Sequence, residues 1–225
     1  MAKLLNDTLI TEVQDLFNAI AYPVHILLFK QETCDYCPET QQLLEELVSM
    51  SDKLSLSVSD LDADSALAKQ YKVERAPGIV IMGKTTGEDQ TTLTDYGIRY
   101  AGIPAGHEFT SLVNDLVMVG SRNSGLSETT RQFLQKLDKP VHLAVFVTPT
   151  CPHCPRAVVL AHQMALESPM VEAEMIEASE FPDLAARFNV NGVPQTTINW
   201  GARTLMGAYP EEYLLAEIAK ALEEA

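Results

Sequence analysis

The sequence has little positive charge. Its 225 residues include 16 lysines and arginines against 31 aspartates and glutamates, which gives a formal net charge of −15 at pH 7. Proteins that bind nucleic acid neutralise phosphates with a basic surface. The charge balance therefore excludes nucleic acid as an expected partner. The acidic residues form no long run and are typical of a solvated surface.

Long apolar runs are also lacking. No stretch approaches the ~18 consecutive apolar residues of a transmembrane helix. The N-terminal residues MAKLLNDTLI have no apolar core of the kind found in secretory signals. We therefore expect a cytoplasmic protein without a membrane partner. Thiols in that compartment are mostly kept reduced, so paired cysteines there indicate metal binding or catalysis before structural disulfides.

The chain has no isolated cysteine. The four cysteines form two CxxC pairs, Cys34 with Cys37 and Cys151 with Cys154, and each pair is followed directly by a proline. A single CxxC pair is compatible with a half metal site, a structural disulfide or a redox centre. Two pairs together could supply a Cys₄ zinc site.

The chain contains an internal repeat. Moving the sequence by 117 residues, the difference between 151 and 34, places one CxxC pair on the other. The same shift aligns PVHILLF (23–29) with PVHLAVF (140–146) and YKVERAP (71–77) with FNVNGVP (188–194). An ungapped register of this length indicates a duplicated unit. We predict an N-terminal unit over 1–119 and a C-terminal unit over 120–225, which begins in the polar stretch GSRNSG.

The repeat disfavours an intramolecular zinc site, because each CxxC pair lies in its own copy with its own downstream proline. We therefore predict no metal site within one molecule, while a metal held between two molecules at one CxxC stays open. The chain also has no Gly-rich dinucleotide motif, so no bound cofactor is expected.

Both units show the same order of predicted elements. A helix is followed by a short apolar strand (24–30 and 141–147), a helix that begins at the CxxC motif, a second strand and a further helix. A proline, a β-hairpin and a last helix complete each unit. This order predicts an α/β fold with a mixed four-stranded sheet flanked by helices. In the first unit the polar residues 83–95 are predicted to form a long hairpin loop.

These motifs resemble a known family. A strand, a CxxC motif opening a helix and a proline 40 residues past the second cysteine are similar to the thioredoxin fold. Two such units in one chain resemble the protein disulfide oxidoreductases of archaea and bacteria, also described as glutaredoxin-like proteins. The most specific segments are TPTCPHCPRAV (148–158) and NGVPQTTIN (191–199).

The resemblance implies a function and its site residues. It implies dithiol–disulfide exchange on protein substrates, with cis peptide bonds before Pro77 and Pro194. The residues preceding these prolines, Ala76 and Val193, would offer backbone groups to an extended substrate segment. Electrons would come from NAD(P)H through a separate flavoprotein similar to thioredoxin reductase.

Two other functions are also compatible with these motifs. A doubled thioredoxin fold also forms the N-terminal part of alkyl hydroperoxide reductase flavoproteins, so the chain could carry electrons to a peroxiredoxin. That part normally has one working CxxC, whereas both pairs are intact here. The alternative of another class is a non-catalytic peptide-binding module or holdase that uses the groove beside the cis-prolines.

The chemistry assigns different roles to the two cysteines of each motif. A free thiol with a pKa near 8.5 is only ~3% ionised at pH 7, and the partial positive charge of a helix N-terminus lowers that pKa. We predict that Cys34 and Cys151 attack and that Cys37 and Cys154 resolve the mixed disulfide. Thioredoxins have a buried acid six residues before the first cysteine, where this chain has Leu28 and Val145. Neither position therefore supplies a carboxylate that could relay a proton from the second cysteine.

The residues between the cysteines differ between the two motifs. His153 can donate to the neighbouring thiolate or pair with it when protonated, which favours the reduced form and makes the disulfide more oxidising. Asp35 places an anion beside Cys34 and has the opposite effect. The sequence thus predicts the higher reduction potential at the CPHC motif.

Overall fold

Residues 3–87 and 90–224 are described by the computed structural model of the chain. The first half of the chain alternates helices and strands in the order α, β, α, β, α, β, β, α. Its elements are α1 (Asp7–Phe17), β1 (Val24–Lys30), α2 (Cys37–Val48), β2 (Leu54–Asp60), α3 (Ser65–Gln70), β3 (Gly78–Thr86), β4 (Thr91–Ala101) and α4 (Glu108–Ser121).

The second half repeats that order. Its elements are α5 (Glu128–Gln135), β5 (Val141–Val147), α6 (Cys154–Glu167), β6 (Val171–Glu177), α7 (Pro182–Arg187), β7 (Gln195–Ile198), β8 (Arg203–Met206) and α8 (Glu211–Glu223). The two strands that precede the CxxC motifs have the predicted bounds, because proline ends each apolar run on its N-terminal side.

The strands of each half form a mixed sheet, as predicted. In the first half the order is β2-β1-β3-β4, and in the second it is β6-β5-β7-β8. β1 is parallel to β2 and antiparallel to β3, and β5 has the same relationship to β6 and β7. The strand that leads into each CxxC motif is therefore an inner strand, and its neighbours hold its end in place.

The inner strands are apolar because both of their faces are covered. Leu28 of β1 and Val145 of β5, at the positions where thioredoxins have a buried acid, are fully buried. A cluster in the first half packs β1 and β3 against α3 and the turns beside it. Its buried members are Leu27, Phe29, Leu61, Ala68, Tyr71, Val73, Val80 and Met82.

The prediction of a long loop over 83–95 was wrong. β3 continues to Thr86 and β4 begins at Thr91, so most of that polar stretch is an extended hairpin. The stretch contains five threonines, whose β-branched side chains favour extended backbone even where they are exposed. Within this stretch Glu88 and Asp89 lie outside the described residues.

Contacts divide the chain into two compact units. The described residues up to Asp95 form the first unit with Tyr100–Ile103 and Val113–Asn123, and the remainder forms the second. Tyr96–Arg99 of β4 and Pro104–Leu112, which includes the start of α4, thus belong to the second unit. The single boundary at residue 120 stays a prediction. Across the described residues no helix is long and apolar enough to cross a membrane.

Candidate active sites

The two CxxC motifs form disulfides at the ends of equivalent strands. Cys34 is bonded to Cys37, with Cα atoms 5.4 Å apart, and Cys151 to Cys154, with Cα atoms 5.5 Å apart. Each pair thus occupies its own unit. Among residues 3–87 and 90–224 no group of three or more histidines, cysteines or acids is placed to hold a metal ion.

Both helices begin at the second cysteine of the motif. The first cysteine lies in the preceding turn, where the N–H of Cys34 donates to the Gln31 carbonyl and that of Cys151 donates to the Thr148 carbonyl. Pro152 therefore lies before the first residue of α6. The first cysteine still stands before the helix N-terminus, whose unpaired N–H groups favour a thiolate.

Burial differs within each pair. Cys37 and Cys154 are 2% and 0% exposed, whereas Cys151 is 8% exposed and Cys34 is only half-buried. The first cysteine is the more accessible one in both units. An incoming disulfide would therefore meet that sulfur first.

A cis peptide bond precedes both Pro77 and Pro194, as the family resemblance implied. In the second unit the Cys151 sulfur lies 3.7 Å from the carbonyl oxygen of Val193. The next carbonyl, that of Pro194, accepts the N–H of Gly207 at 2.8 Å. This bond ties Pro194 to the residue that follows β8, and the Val193 carbonyl lies beside the disulfide.

The residues predicted to tune the two sites are both exposed. His153 occupies the N-cap position of α6 without a side-chain capping bond, and Asp35 lies in the turn before α2. Solvent screens a charge at either position, so its electrostatic effect on the adjacent sulfur is weakened.

Buried carboxylates near the second site were missed by the sequence reasoning. Glu177, at the end of β6, is 2% exposed, and its Oε2 accepts the N–H of Glu180 at 2.6 Å. Glu108 is 1% exposed at the start of α4, and the N–H of the preceding His107 donates to the Pro149 carbonyl, two residues before Cys151. The sequence carries no signal for this burial, because β6 contains two further glutamates, Glu172 and Glu174.

Comparisons with known proteins agree with this geometry. The profile of the thioredoxin domain matches residues 141–220. The alkyl hydroperoxide reductase AhpF of Pseudomonas aeruginosa is 26% identical over 215 residues, which are 96% of this chain and 37% of that protein. A protein named NADH dehydrogenase from Bacillus subtilis is 29% identical over 70% of this chain and 27% of its own length. The chain thus spans 37% and 27% of the length of these two curated relatives.

Two solved structures match over nearly the whole chain. The protein disulfide oxidoreductase of Aeropyrum pernix has a TM-score of 0.87 at 29% identity, covering 97% of this chain and 94% of that one. The N-terminal domain of alkyl hydroperoxide reductase AhpF from Enterococcus faecalis has a TM-score of 0.86 at 27% identity, with 95% and 99% covered. The chain is therefore built from two thioredoxin-type units, each with its own CxxC site, as the motifs predicted.

Proposed function

We propose that the chain exchanges electrons with protein substrates at both CxxC sites. One observation carries this proposal: each unit pairs a more exposed first cysteine with a buried second one. The first sulfur is thus available to a partner, and the second is available only to the first. Cys34 and Cys151 would attack, and Cys37 and Cys154 would resolve.

At the second site the exchange proceeds through a mixed disulfide between Cys151 and the substrate. The Cys151 thiolate attacks one sulfur of a substrate disulfide, whose S–S bond breaks while the other substrate sulfur leaves and takes up a proton. Cys154 then loses its proton and attacks Cys151, which releases the second substrate thiol. Two electrons have passed to the substrate, and the Cys151–Cys154 disulfide has formed. The reverse sequence oxidises a substrate dithiol.

The groove beside each cis-proline would hold the substrate. Ala76 and Pro77 in the first unit, and Val193 and Pro194 in the second, would receive an extended segment through backbone hydrogen bonds. The short distance between Cys151 and the Val193 carbonyl supports this assignment, because a segment bound there passes beside the reactive sulfur.

Reduction would come from NAD(P)H through a separate flavoprotein, since no dinucleotide-binding motif occurs in the chain. The relative named NADH dehydrogenase supports a nicotinamide source. Such a source implies a cytoplasmic reaction. The similarity to the alkyl hydroperoxide reductase AhpF over 96% of the chain favours a second candidate, in which the acceptor is a peroxiredoxin.

Insulin reduction tests the proposal. The wild-type chain should accelerate precipitation of insulin by dithiothreitol, and the double variant Cys34→Ser with Cys151→Ser should not. Unchanged activity in that variant would instead support a non-catalytic binding module. Turnover with a peroxiredoxin as the sole acceptor, but not with insulin, would favour the carrier function.

A further inference from the structure

The two disulfides are surrounded by different charges although the repeat makes their positions equivalent. Four exposed acids flank the first disulfide in its turn, its helix and the adjacent loop: Glu32, Asp35, Glu39 and Asp62. Moving each by 117 residues gives neutral or basic residues in the second unit: Pro149, Pro152, Arg156 and Ser179.

The remaining charged positions do not cancel this difference. Lys30 corresponds to Val147, and Ala63 corresponds to Glu180. Asp60 and Glu177 are acids at equivalent positions, so they do not contribute to the difference. Apart from them, Lys30 counted against the four acids gives a formal charge of −3 around the CDYC site, and Arg156 counted against Glu180 gives 0 around the CPHC site. Arg75, next to the first cis-proline, lies 3.6 Å from the carboxylate of Glu74, so these two charges offset each other.

One of these acids, Asp62, is tied by hydrogen bonds to the turn that carries Cys34. The Asp62 carboxylate accepts from the Gln31 side chain at 3.1 and 3.2 Å, and Gln31 lies in the turn that leads to Cys34. The ammonium of Lys30 is engaged with the Gln41 side chain at 2.7 Å. The negative charges thus face solvent around the disulfide, while the Lys30 ammonium, which keeps its charge, is hydrogen-bonded to a residue of α2.

An aromatic side chain lies among these acids. Tyr36, between the two cysteines, is 47% exposed, and its counterpart in the repeat is His153. An exposed aromatic face attracts lysine and arginine side chains by cation–π interaction. Anions around an accessible aromatic ring suit a cationic segment and repel an anionic one.

We propose that the CDYC site selects substrates in which lysine or arginine flanks the reactive cysteine, whereas the CPHC site does not discriminate in this way. This inference rests on the proposed exchange function and adds a substrate class to one of its sites. The Cys34 thiolate attacks the cationic disulfide, one substrate thiol leaves with a proton, and Cys37 releases the other. Two electrons pass from the dithiol to the substrate.

The test uses single-site variants of the full chain and three cystine-linked peptide dimers. Cys151→Ser with Cys154→Ser leaves the CDYC site, and Cys34→Ser with Cys37→Ser leaves the CPHC site. The probes are capped tripeptide dimers with lysine, glutamate or glycine on both sides of the cysteine. Rate constants for oxidation of each reduced variant are measured at about 0.01 M and about 1 M salt, where screening lengths are about 30 Å and 3 Å.

We expect the lysine-to-glutamate rate ratio to be at least about fivefold larger for the CDYC site than for the CPHC site at low salt, and the two ratios to converge at high salt. Each peptide has the same intrinsic reactivity toward both sites, so this reactivity cancels when the two rate ratios are compared. Equal ratios at low salt would overturn the inference. If neither variant reacts even with the glycine dimer, the proposed function fails instead.

Two triple variants with the same change in net charge distinguish the effect of the acids around Cys34 from that of the net charge of the chain. Glu32→Gln, Glu39→Gln and Asp62→Asn should remove most of the preference at the CDYC site. Glu12→Gln, Asp15→Asn and Asp52→Asn change the net charge equally, but these exposed acids lie on α1 and in the turn before β2. That control should keep the preference, and loss in both variants would contradict selection by the acids around Cys34.

Discussion

Glu177 pairs with Val147 across the parallel β5–β6 ladder, so a buried carboxylate faces an apolar residue just before the CPHC turn. Its bond to the Glu180 N–H anchors the loop that follows β6. Glu177→Val removes that acceptor and should lower the free energy of unfolding by about 1–2 kcal/mol. Glu177→Gln keeps an acceptor oxygen and should change it by less than about 1 kcal/mol. Urea unfolding at pH 7 checks both, and equal losses would show that the charge matters rather than the bond.

His25 should make stability depend on pH near neutrality. Burial lowers its pKa from the ordinary 6.5, and the positive charge of Lys84 lowers it further. Below pH 6.5 the unfolded chain therefore takes up a proton that the folded protein does not. The free energy of unfolding should fall as the pH drops through 6.5 toward the folded-state pKa, by at most about 1.4 kcal/mol per pH unit. His25→Gln should remove this fall, whereas substitution of the exposed His107 by glutamine should leave it in place. Unfolding measured from about pH 7.5 to about pH 5 decides the matter.

Glu217 should contribute to stability above acidic pH. It accepts from Lys220 at 2.6 Å and from two nitrogens of Arg203 at 2.9 and 2.7 Å, and these partners lower its pKa below the ordinary 4.5. The contribution is complete above pH 4.5 and is lost as the pH falls through the folded-state pKa. Glu217→Gln should therefore lower the melting temperature most at pH 7, and its effect should shrink as the pH falls below 4.5 toward the folded-state pKa. Glu224→Gln, at the more exposed partner of Arg203, should have a smaller effect.

The two disulfides should differ in reduction potential. We expect Cys151–Cys154 to have the higher potential, because His153 can stabilise the thiolate and Asp35 disfavours it at the other site. Both side chains are exposed, so the difference should amount to tens of millivolts. Glutathione redox titration of the two single-site variants measures it. His153→Tyr should lower the reduction potential of the CPHC site. The assignment would be contradicted if the CPHC site with its native His153 had a potential equal to or below that of the CDYC site.

Much of the fold could be predicted because the repeat gives two independent views of one pattern. The bounds of β1 and β5 followed from apolar runs that begin after prolines. The β3–β4 hairpin was misjudged because threonine-rich polar residues indicate both loops and exposed strands. Glu177 and Glu108 could not be recognised as buried, since their burial depends on the neighbouring strand and on a turn more than 40 residues away in the sequence. The contrast in charge around the cysteines was present in the aligned repeats, but only exposure shows which acids face solvent.

Trp200, the only tryptophan, stacks on His142 with ring centroids 4.1 Å apart, and both belong to the second unit. Intrinsic fluorescence is consequently a local spectroscopic label that needs no engineering. Emission excited at the indole band will follow the C-terminal unit alone, while circular dichroism averages over all the helices. A denaturation midpoint that differs between the two signals would show that the units unfold in separate steps.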